Sequence, residues 1–466
     1  MGARLGSAVR NRWYIGLLLF AAGLRLWHFS TPPDDAHEWR QTQTLMNAAS
    51  YAHGAGWLTP RVDWYGPTPR IGVLEFPVYS ILAHLLTYLT ANLLTGARIV
   101  SWLAGMGAIL VFDRILLLRA HPRRRAATVL FALAPIAIFY GHAAQPESLL
   151  LFLTLLAAYS ALQARTGAWH WSVTAAASLA VAATIKPTAL LVLGPPLLYE
   201  GWRSRRMTRV YPVLLCAGVA VLLWAQFDRA VLLSSAPDWY RTNTRSEWLF
   251  GPLSLRTDVA FYRTLADRAV WTLLTPLTAG LLLSGAARRG DPWWWLWALG
   301  GLISIEVFST LNYVHFYYQL PIIPALAALA AYALPRWPRP AALRLAIAGA
   351  LAAVTIYAII PLYREAPIFH DAGTALRGIA TPGRPVIVLS SVGGPSPWFP
   401  AVLYYAGHPG WNLPAGAAPA VIDGLPGTPA CEMVVVYDGG QSPVPDGWTP
   451  VAATSEYALG RRLSCR

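Results

Sequence analysis

The sequence predicts an α-helical polytopic membrane protein of about eleven transmembrane helices that ends in a small external α/β domain. Three observations predict it. Of 466 residues, 56% are hydrophobic, above the roughly 45–50% of soluble domains. The 21 tryptophans and 21 tyrosines are residue types that favour membrane–water interfaces. The basic residues fall in short clusters between long apolar runs. That distribution also accounts for the net charge of +14 without nucleic acid, because cationic loops are what the positive-inside rule predicts.

The first apolar run, residues 13–29, follows Arg4, Arg10 and Arg12. No small-residue cleavage site follows Trp27-His28-Phe29, so the run reads as a retained helix rather than a secretory leader. Further runs lie at 99–118, 126–140, 148–164, 170–185, 188–200, 210–227, 270–286, 293–311, 319–335 and 341–361. Several are shorter than the ~20 residues of a perpendicular span. The clusters Arg119/Arg123/Arg124/Arg125, Arg165, Arg203/Arg205/Arg206/Arg209, Arg288/Arg289 and Arg336/Arg339/Arg344 occupy every second gap. Eleven spans with a cytoplasmic N-terminus put all of them on one side and the C-terminus on the other. The stretch Phe76 to Leu94 is apolar enough to span, but a span there would scatter the arginines over both sides. It is therefore expected to form helices lying in the interface.

Residues 1–361 thus read as a transmembrane domain whose first external loop is 30–98, and residues 362–466 as a separate external domain. In the latter, long apolar runs stop and Pro and Gly are dense. Val386-Ile387-Val388-Leu389 and Met433-Val434-Val435-Val436-Tyr437 read as buried strands. Cys431 and Cys465 lie there, in an oxidising compartment on this topology, where they can pair or remain thiols. Cys216 sits in an apolar run and reads as packing.

The polar residues other than arginine gather in the external gaps. Asp34-Asp35-Ala36-His37-Glu38-Trp39-Arg40-Gln41 directly follows the first span, and charge at a membrane edge is costly unless it serves a site. The plain alternative is helix capping by Asp34 or Asp35, with Arg40 pairing a carboxylate. Farther along the loop lie Arg61, Asp63 and Glu75 among turn residues and aromatics. Arg98 and Lys186, the only lysine, sit at external helix ends against the charge trend, as snorkelling anchors or as binding groups. External turns also carry His142, Gln145 and Glu147, and His315, Tyr317 and Tyr318.

The runs HEWRQTQT (37–44), PRVDWYG (60–66) and EFPVY (75–79) resemble the first periplasmic loop of bacterial GT-C membrane glycosyltransferases. Within that superfamily the resemblance is to glycosyltransferase family 39, related to protein O-mannosyltransferases and aminoarabinose lipid A transferases. It continues in order through GARIVSWLAG, QPESLLLFL, IKPTALL and HFYYQLPIIP, over residues 10–335, and more loosely to LYYAGHPGW. The resemblance implies a bacterial inner-membrane enzyme that uses a polyprenyl-phosphate sugar. A loop carboxylate would deprotonate the acceptor hydroxyl, and cationic groups would stabilise the departing phosphate. It places Glu38 as base, with Asp35 second. Many relatives have Asp where Glu38 stands. Arg40, Arg98 and Lys186 become candidates for the donor phosphate. Gln41, Arg61, Asp63, Glu75, His142, Gln145, Glu147, His315, Tyr317 and Tyr318 become candidates for sugar and acceptor contacts. The lipid bilayer, the lipid-linked donor and a glycan, lipid or protein acceptor are the expected partners. Carboxylates and His37 could gather a divalent ion, but no HExxH-like spacing appears and no resident metal is expected. The competing readings are a lipid-linked oligosaccharide flippase, which would place polar residues at mid-membrane, and a polysaccharide polymerase or ligase.

Overall fold

A computed structural model describes residues 15–462 except 17, 65, 73–74, 233–245, 287, 289, 335–340, 393–399, 428 and 438–443. The chain divides into two compact units. The first takes in residues 1–29, 98–229 and 239–362, and the second residues 30–97, 230–238 and 363–466.

The first unit is helical. Among the described residues, three stretches of the chain, none confined to this unit, are long and apolar enough to cross a membrane: Leu93–Leu118, Met207–Val231 and a run from Gly349 to Ile379 that holds more than one helix. The helices Glu147–Gln163, Trp169–Ile185, Thr188–Arg203 and Pro292–Val307 have 16 or 17 residues, about 25 Å of rise. Prolines set the breaks. The expected run 126–140 becomes Arg124–Ala132 and Pro135–Tyr140, because Pro135 occupies the first turn of the second helix. Arg25, buried in the turn that follows the first helix, donates from Nη2 to the Ala132 carbonyl at 3.0 Å beside that break. A side chain on Gly141 would come within 2.6 Å of Arg25 Cδ, so glycine makes the room. Asp291 caps the helix Pro292–Val307 through Trp293 N. That helix buries Trp293, Trp294 and Trp297 as the bulk of the local core.

The second unit holds a two-stranded ribbon, β1 (Arg61–Val62) with β2 (Arg70–Ile71), and a five-stranded sheet. The sheet runs in the order β4-β3-β5-β7-β6, with β3 Val386–Ser390, β4 Gly410–Pro414, β5 Glu432–Val436, β6 Trp448–Ala453 and β7 Tyr457–Arg462. β3 is parallel to β4 and β5, and β7 is antiparallel to β5 and β6. β3 and β5 are the two strands expected from sequence. They are buried along nearly their whole length, as central parallel strands are. Ile387, Leu389, Met433 and Val435 pack with Ile422 and Tyr437. Cys431 is disulfide-bonded and Cys216 is free, while Cys465 lies outside the described residues.

The loop residues 30–97 fold with this sheet domain. Gly66 N donates to the Gly410 carbonyl at 2.9 Å, and Gly410 N to the Asp63 carbonyl at 2.8 Å. The stretches WYG and HPGW are thereby strapped together. Phe76 to Leu94 contains the helix Val78–Thr90, whose 13 residues rise about 20 Å. Leu85, Tyr88 and Leu89 are exposed on it.

Candidate active site

The chemistry-bearing residues fall into two clusters, one in each unit.

In the second unit, the helix Glu38–Ser50 is polar in sequence yet buried on nearly every side. Such a helix is tolerable only if its polar groups find partners. Arg40 forms an ion pair with Glu75 and donates from Nη1 to Gln43 Oε1 at 2.8 Å. Gln41 Nε2 donates to Asp35 Oδ1 at 2.5 Å. Thr42 and Thr44 donate back to the carbonyls of Glu38 and Arg40. Neither Asp34 nor Asp35 takes the N-cap position. The N-cap is His37, with no side-chain cap bond, in the left-handed conformation at φ 59°. A non-glycine residue there is strained, and strain of this kind persists where surrounding structure imposes it.

Glu38 is 5% exposed, with Asp34 and Asp35 also buried nearby. Its carboxyl is pushed up to about 9, first by burial and then by the Asp34 charge, with Asp35 adding to the rise. The Tyr405 hydroxyl beside it opposes part of that rise. Asp34 is raised too, chiefly by burial, against its own backbone amide and with Glu365 contributing. At neutral pH Glu38 is therefore a protonated acid in this state. Among the described residues Glu38 Oε1 and Asp34 Oδ1 have no hydrogen-bond partner, although both are buried. Asp63 is half-buried and raised by burial, and Arg61 is exposed. Tyr405 was missed from sequence because it lies more than 360 residues away in a stretch that matched the family loosely.

In the first unit, Lys186 ends the helix Trp169–Ile185 in an extended conformation, φ −149° and ψ 124°. Pro187 dictates this, since a residue before proline is excluded from the helical region. The turn aims the ammonium inward. Lys186 pairs with Glu147 and lies 4.0 and 4.4 Å from the ring centroids of Tyr317 and Tyr318. It is not a snorkelling anchor, because its side chain is 4% exposed. Glu147 opens the helix Glu147–Gln163, where the helix dipole favours a negative charge. His315 breaks the next helix pair and stacks on Tyr317 at 5.1 Å. His142 is buried against Phe29 and Phe139. Ser101 Oγ holds the turn at the Ala143 and Gln145 carbonyls. Arg98 Nη1 donates to the carbonyls of His28 and Phe29, at 3.0 and 2.8 Å, closing the end of the first helix. Among the described residues, Glu147 Oε2, Asn312 Oδ1 and Gln319 Oε1 are buried polar atoms with no hydrogen-bond partner, so this cluster has unused acceptors. No group of three or more His, Cys, Asp or Glu among the described residues converges as a metal site.

No protein-family model and no curated protein matches the sequence. Solved structures do. ArnT from Cupriavidus metallidurans in the apo state superposes with TM-score 0.62 at 15% identity, over 98% of this chain and 99% of that one. The same protein bound to undecaprenyl phosphate gives 0.61 at 14%, over 96% and 97%. The archaeal oligosaccharyltransferase AglB from Archaeoglobus fulgidus, in complex with an inhibitory peptide and a dolichol-phosphate, gives 0.55 at 13%, over 92% and 70%. The arabinofuranosyltransferase AftD from Mycobacteria gives 0.55 at 17%, over 97% of this chain and 41% of that one. The chain has the GT-C fold. The resemblance read from residues 37–44 and 60–66 is thus matched by the fold of the whole chain, at an identity too low to carry function by itself. The two clusters must be judged on their own chemistry.

Proposed function

We propose that the protein transfers a hexosyl or pentosyl unit from a polyprenyl-phosphate donor to an acceptor hydroxyl, inverting the anomeric carbon. The acceptor oxygen attacks that carbon while the bond to the phosphate oxygen breaks, and lipid phosphate leaves with the electron pair. Glu38 takes the acceptor proton. The observation that carries this reading is the buried Glu38 carboxyl, raised to about 9 within a ring of Asp34, Asp35 and Tyr405. A base of that strength is rare in its ionised form at neutral pH but well matched to a hydroxyl proton. Asp35, oriented by Gln41, is the second carboxylate of the site and the base if Glu38 is not.

Lys186 is assigned to the donor phosphate. Its ammonium already lies in a buried ion pair over two aromatic rings, a desolvated setting in which a phosphate oxygen can replace Glu147 as partner. His142, Gln145, His315, Tyr317 and Tyr318 are assigned to sugar and acceptor contacts, and Arg40 with Glu75 to holding the Glu38 helix. The alternating arginine clusters favour eleven spans, a cytoplasmic N-terminus and catalysis on the external face of a bacterial inner membrane.

The test is turnover of polyprenyl-phosphate-linked hexoses and pentoses by purified protein, read as released polyprenyl phosphate and glycosylated acceptor. Glu38→Gln is expected to lower the rate by about 10²–10⁴-fold while leaving donor binding intact. Undiminished turnover in that variant would remove Glu38 from the reaction.

A further inference from the structure

The first unit carries a second charged cleft that the transfer reaction does not use. Glu147 and Lys186 lie at one end of the helix pair Glu147–Gln163 and Trp169–Ile185. The cleft lies at the other end of the Glu147 helix, about 25 Å away along its axis. Arg165, Arg206, Arg209, Ser204 and Glu200 line it, with Leu197, Val210 and Val213 as an apolar wall.

Its charges do not cancel. Arg119 bonds Glu200 at 2.6 Å and grips Asp291 with two nitrogens, at 2.7 and 2.6 Å. Arg165 takes the other Glu200 oxygen. Those pairs use both carboxylates. Arg206 and Arg209 donate only to the backbone carbonyls of Arg165 and Ala164, and among the described residues neither meets a carboxylate. With Arg203 nearby, five arginines face two acids. Arg165 is pushed below its ordinary value by burial and then by Arg119, Arg203 and Arg206, which reports the same crowding of positive charge. Exposed aromatics stand at this level. Trp202 is 73% exposed and Tyr211 56%, both on helices that line the cleft, and Trp169, four residues beyond Arg165, is 74% exposed. Exposed Trp and Tyr at helix ends mark the level of lipid head groups. Below them Leu215, Leu222 and Leu223 are exposed along the same helix as Arg209.

We propose that this cleft seats the phosphodiester head group of an anionic phospholipid of the surrounding bilayer. Arg206 and Arg209 meet the phosphate, and Leu197, Val210 and Val213 meet the start of the acyl chains. A basic pocket between helices at head-group depth has the charge for a phosphodiester and the apolar wall that a free anion does not need. The site is independent of sugar transfer and stands whether or not that reaction is the right one.

Native mass spectrometry of the detergent-purified full chain, titrated with phosphatidylglycerol or with phosphatidylcholine of the same acyl composition, tests it. Wild type is expected to retain phosphatidylglycerol in preference to phosphatidylcholine. Arg206→Gln with Arg209→Gln is expected to lower phosphatidylglycerol retention by roughly ten-fold. Val210→Trp, which keeps the arginines and fills the wall, is expected to lower it as well and serves if the double variant does not fold. Equal retention of the two lipids, undiminished retention in a folded variant, or displacement of the lipid by inorganic phosphate alone would overturn the proposal.

Discussion

Glu38 draws its character from burial and from neighbouring carboxylates that act in the same direction. Lys186 shows the opposite balance, with its charge satisfied by Glu147 and by the faces of Tyr317 and Tyr318. Removing one member of a buried ion pair strands the other, at a cost of about 3–5 kcal/mol. Lys186→Met alone should therefore lower the unfolding temperature sharply, and Lys186→Met with Glu147→Gln should recover most of it. Donor affinity separates structure from function. If Lys186 holds the donor phosphate, the double variant regains stability while binding polyprenyl-phosphate sugar about ten-fold or more weakly than wild type. Recovery of both in a binding assay would make the pair a structural element only.

At the scale of elements, the sequence was legible where local rules decide. The helix at Glu38, the strands Val386–Ser390 and Glu432–Val436 and the turn at Lys186-Pro187 all follow from patterning or from proline chemistry. Long-range partners were not legible. Nothing in residues 30–50 signals that Gln41 would donate to Asp35, or that Tyr405 would stand beside Glu38. Those contacts depend on the loop folding with the C-terminal sheet, and periodicity carries no information about that. Gly66 is the position where the association is most exposed to test. Its φ is +119°, and a Cβ there would lie 2.5 Å from Trp411 Cζ2. Gly66→Ala should destabilise the second unit by about 2 kcal/mol or more, seen as earlier thermal unfolding and faster proteolysis of the 30–97 loop. An unchanged melting profile would mean the strap between the two stretches matters little.

Across the whole molecule, the GT-C fold was anticipated from short motifs in consistent order along residues 10–335. The span count is harder to read, since helices of 16 or 17 residues are shorter than a perpendicular crossing needs and, among the described residues, three stretches are long enough. The division into two units was not legible either, as it returns residues 30–97 to the company of residues 363–466. The intact chain therefore has to be used to test the chemistry. The most direct measurement is the pH dependence of kcat/KM for sugar transfer by full-length protein. The base must be ionised to act, and the Glu38 carboxyl is raised to about 9. The rate should then climb by about ten-fold per pH unit through neutrality and level off near 9. A profile already flat above pH 5, or a rising limb unchanged in Glu38→Gln, would contradict the assignment of Glu38 as the general base.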